Sequence, residues 1–167
     1  MTSHASRGVL YVHSAPSALC PHIEWAASRA LDRGVTFTWE AQPVLRGTNR
    51  AEFFWTGPSG TGALLASALH GWEHIRYEVT EDAGLGSDGG RWMSTPRLGI
   101  YYAPTDTVGN IVVPEERLRS VLDRFSSDLE ELNRHLHGLL GKQWDDELEP
   151  FRHAHDDSSV LWLHKVG

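Results

Sequence analysis

Val9-Leu10-Tyr11-Val12-His13 is the stretch that decides the fold, because its apolar residues do not alternate with polar ones. Such a run is typical of a strand that lies in the middle of a sheet and is buried on both faces. A helix is predicted directly after it, since Pro21 suits a first helical turn. The apolar residues that follow recur at helical spacing and are Ile23, Ala27, Ala30 and Leu31.

Two more strands and a second helix are predicted beyond this helix. Val35–Gln42 alternates apolar and polar residues, which is the period of a half-buried strand, and Ala51–Thr56 is rich in aromatics. These two strands form an antiparallel hairpin. After a glycine-rich break at Gly57–Gly62, Leu64–Trp72 is a helix and Ile75–Thr80 is a strand. The order β-α-β-β-α-β is the ferredoxin-like split arrangement, with the first and third strands in the middle of the sheet.

The second half of the chain is predicted to add a hairpin, a long helix and a last strand. Arg91–Ala103 and Asn110–Val113 pair around a turn at Pro104–Thr107. Pro114–Leu140 is the helix, since Pro114 opens it and acidic residues suit its N-terminal turn. Val160–Val166 alternates apolar residues and closes the sheet as a final strand.

Length and composition agree with one globular domain of the α+β class. The chain has 167 residues, of which 40% are hydrophobic and 22% charged. We assign residues 1–167 to a single domain, with the ferredoxin-like half at 7–82 and the hairpin, long helix 114–140 and C-terminal strand at 91–167. A net charge of -7 argues against nucleic acid as a partner. No apolar run reaches the length of a membrane span.

Cysteine and arginine usage indicate the compartment and one kind of ligand. Cys20 is the only cysteine, which excludes an intrachain disulfide, and no apolar signal segment opens the chain. We therefore expect a cytoplasmic protein, and the sequence indicates no cofactor. Nearly all basic residues are arginine, apart from Lys142 and Lys165. Guanidinium groups favour anion recognition, although a GC-rich coding sequence explains the same bias.

The loop between the hairpin and the second helix is a candidate anion-binding site. Backbone N–H groups at the start of a helix can hold phosphate, and the loop offers Gly57, Ser59, Gly60, Thr61 and Gly62. The loop lacks the Lys-Ser/Thr pair of a Walker A motif and the glycine spacing of dinucleotide folds. The alternative is a tight turn that needs glycine for its backbone angles.

Two further groups of side chains are candidates for chemistry. Cys20 lies at a helix start, where a thiolate is favoured, and His13 or His22 could activate it as a nucleophile. The alternative is a buried structural cysteine. A cluster of imidazoles and carboxylates near the C-terminus could bind a metal ion or lie in a solvated loop, and it comprises His153, His155, Asp156 and Asp157.

The helix 114–140 is predicted to need a partner surface. Seven apolar residues keep an unbroken 4-3 spacing: Leu118, Leu122, Phe125, Leu129, Leu132, Leu136 and Leu139. We expect its N-terminal part to pack on the sheet. Its C-terminal part would contact a second interface, which is either a homodimer or another protein partner, or the segment Trp144–Phe151 folding back.

Three stretches resemble an actinobacterial family that is catalogued only as a domain of unknown function. They are Arg7–Ala15, Cys20–Trp25 and Phe53–Gly57, and the resemblance extends over nearly the whole chain. It implies no established activity and no catalytic residues. It does imply an accessory link to acyl chains or acyl carrier protein, because members of the family are associated with fatty-acid synthesis genes.

These observations favour a non-catalytic cytosolic binding or accessory protein, linked by the resemblance to fatty-acid or acyl metabolism. A small-molecule ligand is compatible with it, whereas nucleic acid and membrane partners are not expected. The alternative is a small enzyme that uses Cys20 as nucleophile with His13 or His22 as base.

Overall fold

Residues 5–153 are described by a computed structural model, and they form six β-strands and five α-helices. The strands are β1 (Ala5–Pro16), β2 (Glu40–Ala41), β3 (Thr48–Pro58), β4 (Arg76–Glu81), β5 (Gly89–Thr95) and β6 (Gly99–Thr105). The helices are α1 (Cys20–Ala30), α2 (Thr61–His70), α3 (Glu115–Phe125), α4 (Leu129–Leu139) and α5 (Lys142–Arg152). The fold is therefore a mixed α+β fold.

The strands form one antiparallel sheet in the order β2-β3-β1-β4-β5-β6. β1 pairs with β3 on one side, where Ala5 lies opposite Pro58, and with β4 on the other, where Gly8 lies opposite Glu81. The predicted central strand at Val9–His13 is thus confirmed. The strand order is not simply ferredoxin-like, because β5 and β6 continue the sheet beyond β4.

Helices α1 and α2 cover one side of the sheet, which we call the first face. Alternation along the strands places apolar side chains there, and the fully buried ones include Leu10, Val12, Trp55, Tyr77 and Val79. The Tyr77 hydroxyl donates to the carbonyl oxygen of Ala66 at 2.9 Å, and burial raises the pKa of Tyr77 to about 12. The first face is an apolar core in which the Tyr77 hydroxyl is hydrogen-bonded.

The strand predicted at Val35–Gln42 is wrong except at its end, where β2 has two residues. The alternation was correct for burial, since Phe37 is only 6% exposed. The backbone, however, is satisfied by α1: Val35 N donates to Ser28 Oγ at 3.0 Å, and Phe37 N donates to Glu24 Oε1 at 2.9 Å. Side chains of the helix thus replace the strand partner that the pattern predicted.

The hairpin of the second half turns at a different place from the one predicted. β5 and β6 pair around residues 96–98, where Leu98 N donates to Thr95 Oγ1 and Gly99 has a φ of +73°. The predicted turn at Pro104–Thr107 lies at the end of β6, and the predicted strand Asn110–Val113 contributes only an isolated bridge to Thr105. Gly99 can adopt this positive φ without strain, which favours the turn at residues 96–98.

The predicted long helix 114–140 is broken into α3 and α4. Ser126-Ser127-Asp128 separates them, and the Asp128 side chain accepts hydrogen bonds from Glu130 N and Glu131 N at 3.1 Å each. An aspartate in this position caps a new helix. α4 then folds back on α3, with the Phe125 and His135 rings stacked at 3.8 Å.

The expectation that the N-terminal part of this helix packs on the sheet is also wrong. α3 has no buried residue, and Leu129 of the stripe is 71% exposed. The folding back of Trp144–Phe151 is confirmed, because these residues belong to α5, which contacts α4 and packs against the side of the sheet opposite α1 and α2. We call that side the second face.

α5 builds a small apolar cluster on the second face. Leu148 is fully buried there together with Met93, Tyr101 and Ala103. Trp144 Nε1 donates to the carbonyl oxygen of Gly99 at 2.9 Å, which fixes the start of the helix over β6. The predicted strand at 160–166 lies outside the described residues.

Candidate functional site

A cavity of about 460 Å³ opens on the second face, beside α5 and above β1, β3 and β4. Most of its walls come from strand residues of this face and from the last turn of α5. The lining residues are Tyr11, Val12, His13, Arg50, Ala51, Glu52, Glu78, Thr80, Arg91, Gly109, Phe151 and Arg152.

Strand alternation explains why polar residues line this floor. In β1, Leu10 and Val12 are buried on the first face, so Tyr11 lies on the second. Register places Tyr11 between Glu52 of β3 and Glu78 of β4. The cavity is therefore built on three neighbouring strands.

A buried, hydrogen-bonded histidine–glutamate pair forms the floor of the cavity. His13 Nε2 lies 2.6 Å from Glu78 Oε2, and the two residues are 7% and 6% exposed. A register shift in β1 begins after Val12, at the point where His13 lies. Such bulges re-aim a side chain, which here reaches a carboxylate on the neighbouring strand.

Arg152 of α5 closes the pair from above. Its Nε donates to Glu78 Oε2 at 2.8 Å and its Nη2 to Glu78 Oε1 at 2.6 Å, a bidentate contact. Burial alone would raise the pKa of Glu78, but hydrogen bonds and charge from His13 and Arg152 hold that pKa well below its ordinary value. Glu78 is thus ionised, and the contact joins α5 to the centre of the sheet.

Arg91 and Asp145 extend the network. Arg91 Nη2 donates to Glu78 Oε1 at 3.2 Å and to Asp145 Oδ1 at 3.0 Å. Arg152 Nη2 also donates to Asp145 Oδ1, at 2.8 Å. Two arginines and two carboxylates therefore alternate, so that each charge lies beside opposite ones. We call His13, Glu78, Arg91, Asp145 and Arg152 the charged network.

Aromatic side chains complete the cavity. The ring of Tyr11 is stacked on that of His13, with centroids 5.9 Å apart and planes within 3° of parallel. Burial raises the pKa of Tyr11, and Glu52 and Glu78 raise it further, so its hydroxyl stays protonated. Phe151 lies in the wall, with the Arg76 guanidinium 4.6 Å from its ring centroid. The cavity offers both charge and ring surface to a ligand.

The predicted catalytic residues do not come together. Cys20 is 6% exposed in the core of the first face, where Sγ donates to the carbonyl oxygen of Pro16 at 3.7 Å. Burial raises the pKa of the Cys20 thiol. His13 instead contacts Glu78 on the second face, and His22 packs edge-on against Trp72. Neither imidazole is a hydrogen-bond partner of the thiol.

The predicted anion loop is filled by a carboxylate of the chain itself. Glu81 accepts hydrogen bonds from Gly60 N at 2.7 Å and Gly62 N at 2.8 Å, through both of its oxygens. Thr61 Oγ1 donates to the carbonyl oxygen of Pro58, while Gly57 belongs to β3 and Ser59 to the turn. Glu81 occupies the position that a phosphate would take at the start of α2.

Of the predicted metal ligands, only His153 lies in the described part of the chain. Its Nε2 is 2.9 Å from Glu149 Oε1. His155, Asp156 and Asp157 lie outside the described residues. Within residues 5–153, no group of three or more histidine, cysteine or acidic side chains is placed to hold a metal ion.

Sequence reasoning missed Glu78, Arg91 and Arg152 as site residues. Glu78 occupies a polar position of a strand whose alternation was recognised, so its face was predictable but its burial was not. The burial of Glu78 depends on Arg152, which lies 74 residues further along the chain. Only the excess of arginine over lysine pointed toward guanidinium chemistry.

Comparisons with known proteins identify a family but no characterised relative. None of the helices in residues 5–153 has the length and apolar character needed to cross a membrane. A search of curated proteins and a search of solved structures each found no match. The family model described as "Protein of unknown function (DUF3145)" matches residues 9–165, and the chain therefore belongs to that family.

Proposed function

We propose that this protein is a non-catalytic binding protein that holds a small molecule in the cavity of the second face. The observation that carries the proposal is the charged network in its floor, which buries His13 and Glu78 beneath an open space of about 460 Å³. That volume is in the range of cavities that hold metabolites. A purely structural ion pair would not need an open cavity above it.

The side chains of the network hold one another in place. Glu78 contacts His13, Arg91 and Arg152 at 2.6–3.2 Å, and Arg152 is also held by Asp145. Side chains fixed in this way lose little conformational freedom when a ligand binds. The geometry thus favours a preformed site.

The surroundings of Cys20 favour binding over the enzyme hypothesis. A nucleophilic cysteine needs a lowered pKa and a neighbouring base, whereas burial raises the pKa of the Cys20 thiol. A concrete check is the rate of thiol labelling at neutral pH, which we expect to be slower than that of a model thiol. Faster labelling would favour the enzyme hypothesis instead.

We also propose that residues 7–82 are a ferredoxin-like half on which the rest of the fold is built. The order β2-β3-β1-β4, with α1 and α2 on one face, supports this proposal. β5, β6 and α5 would then be the additions that create the second-face cavity. In this arrangement β1, β3 and β4 supply the floor, and α5 supplies part of the wall.

An acyl ligand is the part of the proposal that the cavity supports least. The floor holds ionised side chains, and burying an alkyl chain against them would remove water from charges without replacing their hydrogen bonds. Coenzyme A thioesters and free fatty acids therefore belong in the ligand panel, where we expect small polar compounds to bind more tightly.

The test is a thermal-shift screen of a metabolite and fragment panel, followed by a variant that blocks the cavity. Glu52→Trp places a large ring at an exposed lining position of β3. Thr56→Trp is the matched control, because Thr56 is exposed on the same face of the same strand but does not line the cavity.

A ligand that stabilises the protein and the Thr56→Trp variant, but not the Glu52→Trp variant, supports the proposal. A hundredfold excess of ligand over its dissociation constant stabilises by about 2.7 kcal/mol, which is readily measured as a shift in Tm. Equal binding by both variants, or no stabilisation by any compound at millimolar concentration, would contradict it.

A further inference from the structure

The cavity differs in charge from the rest of the protein. The whole chain carries a formal charge of -7. Within the described residues, the cavity wall by contrast brings together three arginines, Arg50, Arg91 and Arg152, beside two glutamates, Glu52 and Glu78. Guanidinium groups gathered in a concave site can recognise an anionic ligand through their N–H donors.

Glu78 does not counteract this attraction in the ordinary way, because its carboxylate is saturated. Oε1 accepts from Arg91 Nη2 and Arg152 Nη2, while Oε2 accepts from Arg152 Nε and lies 2.6 Å from His13 Nε2. A carboxylate has about four lone-pair positions for such contacts. Its charge is balanced within the floor of the cavity.

Arg91 is the arginine with donors left for a ligand. It uses only Nη2 for its contacts with Glu78 and Asp145. Its Nε and Nη1 form no hydrogen bond within residues 5–153, and its side chain is 28% exposed. A guanidinium carries five N–H donors in a planar fork that matches the oxygens of a carboxylate or a phosphate.

Arg152 differs from Arg91 in this respect. Both its Nε and its Nη2 donate to Glu78, and Nη2 donates to Asp145 as well. Arg152 therefore holds the acids that in turn hold Nη2 of Arg91. The network thus fixes the position of the Arg91 guanidinium through Nη2, while its Nε and Nη1 make no contact with the network.

We infer that the cavity binds the oxyanion group of a small ligand, with Arg91 as its principal donor and with Tyr11 and Phe151 contacting the ligand's body. The inference rests on the proposed binding function and names the chemical class of the ligand. Carboxylates and phosphate monoesters share the chemistry, and the experiment separates them.

The experiment compares three probes that share one ring: benzoate, phenyl phosphate and benzamide. Each is titrated into the wild-type protein by NMR, with chemical-shift changes read for the backbone amides of β1 and β5. We expect benzoate or phenyl phosphate to bind at least about tenfold more tightly than benzamide, because hydrogen bonds to a charged group are about twice as strong as neutral ones. The tighter of the two identifies the oxyanion.

Arg91→Gln should abolish the preference for the charged probes. Arg97→Gln is the matched control, since it removes the same charge from a 70% exposed side chain that does not line the cavity. Arg91→Lys keeps the charge and should weaken binding of the charged probe several-fold, because one ammonium group cannot make the paired contact. This variant serves as the test if Arg91→Gln does not fold.

Three outcomes would overturn the inference. If benzamide binds as tightly as the charged probes, the cavity does not select an oxyanion group. The proposed binding function would still stand in that case if Glu52→Trp prevented benzamide from binding. If the preference for charged probes survives both Arg91→Gln and Arg91→Lys, Arg91 is not the principal donor to the ligand. If none of the three probes binds, the inference is wrong, and the wider panel judges the proposed function separately.

Discussion

The first face of the sheet buries Leu10, Tyr77 and Val79 beneath the helices α1 and α2. The second face carries His13, Glu78 and Arg91 beside the helix α5. The two sets alternate along the same strands. On the first face nearly every buried group is apolar, so stability there follows from packing. On the second face a small apolar cluster lies beside buried, hydrogen-bonded polar and charged groups, which give a cavity its shape and charge.

This difference teaches that one sheet can separate folding from recognition. Apolar packing on the first face tolerates no ligand, because its space is filled. Among the described residues of the second face, α5 packs its apolar residues on β5 and β6, while the cavity lies over β1, β3 and β4. Changes on the two faces should therefore have separable effects.

The largest expected effect comes from truncating the first face. Trp55 is 1% exposed, so Trp55→Ala should lower the free energy of unfolding by about 3–5 kcal/mol through a lost ring and the cavity it leaves. Urea unfolding measures the change. Phe54→Ala, next to it but 71% exposed, should change stability by less than about 0.5 kcal/mol. Similar losses for both would contradict the division between faces.

Removing the centre of the charged network should cost nearly as much. Glu78→Ala leaves Arg152 and His13 without their shared carboxylate, and we expect a loss of about 3–5 kcal/mol. Unlike Trp55→Ala, it should also abolish ligand binding in the folded fraction, measured by titration below the new Tm. If ligand affinity survives Glu78→Ala, the network does not shape the site.

The apolar cluster of the second face gives a third comparison. Leu148 is fully buried in α5, so Leu148→Ala should lower the free energy of unfolding by about 2–5 kcal/mol. Leu129→Ala is the control within the helical region, because its side chain is 71% exposed and should contribute less than about 0.5 kcal/mol. Thermal and urea unfolding of both variants would test this contrast. Equal losses in the free energy of unfolding would refute it.

The smallest effect concerns pH. The folded-state pKa of Glu78 lies below the ordinary value of 4.5, so the stabilisation it provides is fully present above about pH 4.5 and is lost as pH falls below it. The stability difference between wild type and Glu78→Gln should therefore shrink as the pH falls from about 4.5 to 3, by up to about 1.4 kcal/mol per pH unit. Urea unfolding at several pH values measures it.

The control for the pH series is Asp123→Asn, at an exposed position of α3. Its stability relative to wild type should vary little over the same range. A gap between wild type and Glu78→Gln that stays constant down to pH 3 would show that Glu78 is not stabilised in its ionised form.

The elements that could be predicted from the sequence are those whose signals are local. A non-alternating apolar run predicted β1, an aromatic-rich run predicted β3, and alternation or helical spacing predicted β4, α1 and α2. Prediction failed where a single side chain overrode the period. The Glu24 side chain accepts a hydrogen bond from the backbone N–H of Phe37, in place of a strand partner. Asp128 caps a new helix within an apolar stripe that has no break in its spacing. Periodicity indicates which face of an element is buried. It does not indicate which side chain elsewhere will accept or donate the hydrogen bonds of that element's backbone.

The candidate site was largely beyond sequence reasoning for a related reason. His13 was recognised, but as a partner for Cys20, which is its neighbour in sequence and lies on the other face. Its real partner, Glu78, is 65 residues away, and Arg152 is a further 74. Burial of an acid depends on bases from distant elements, and no pattern in one segment carries that information.

The position of β1 has a consequence for the order of events during synthesis. β1 is made before its two neighbours, yet it pairs with residue 58 on one side and residue 81 on the other. At about 5–20 residues per second, Glu81 follows Gly8 after roughly 4–15 s. The apolar run Val9–Val12 has no strand to pair with until β3 is made, and its other edge stays unpaired until β4 follows. The centre of the finished sheet is therefore the segment that waits longest to be covered in the nascent chain.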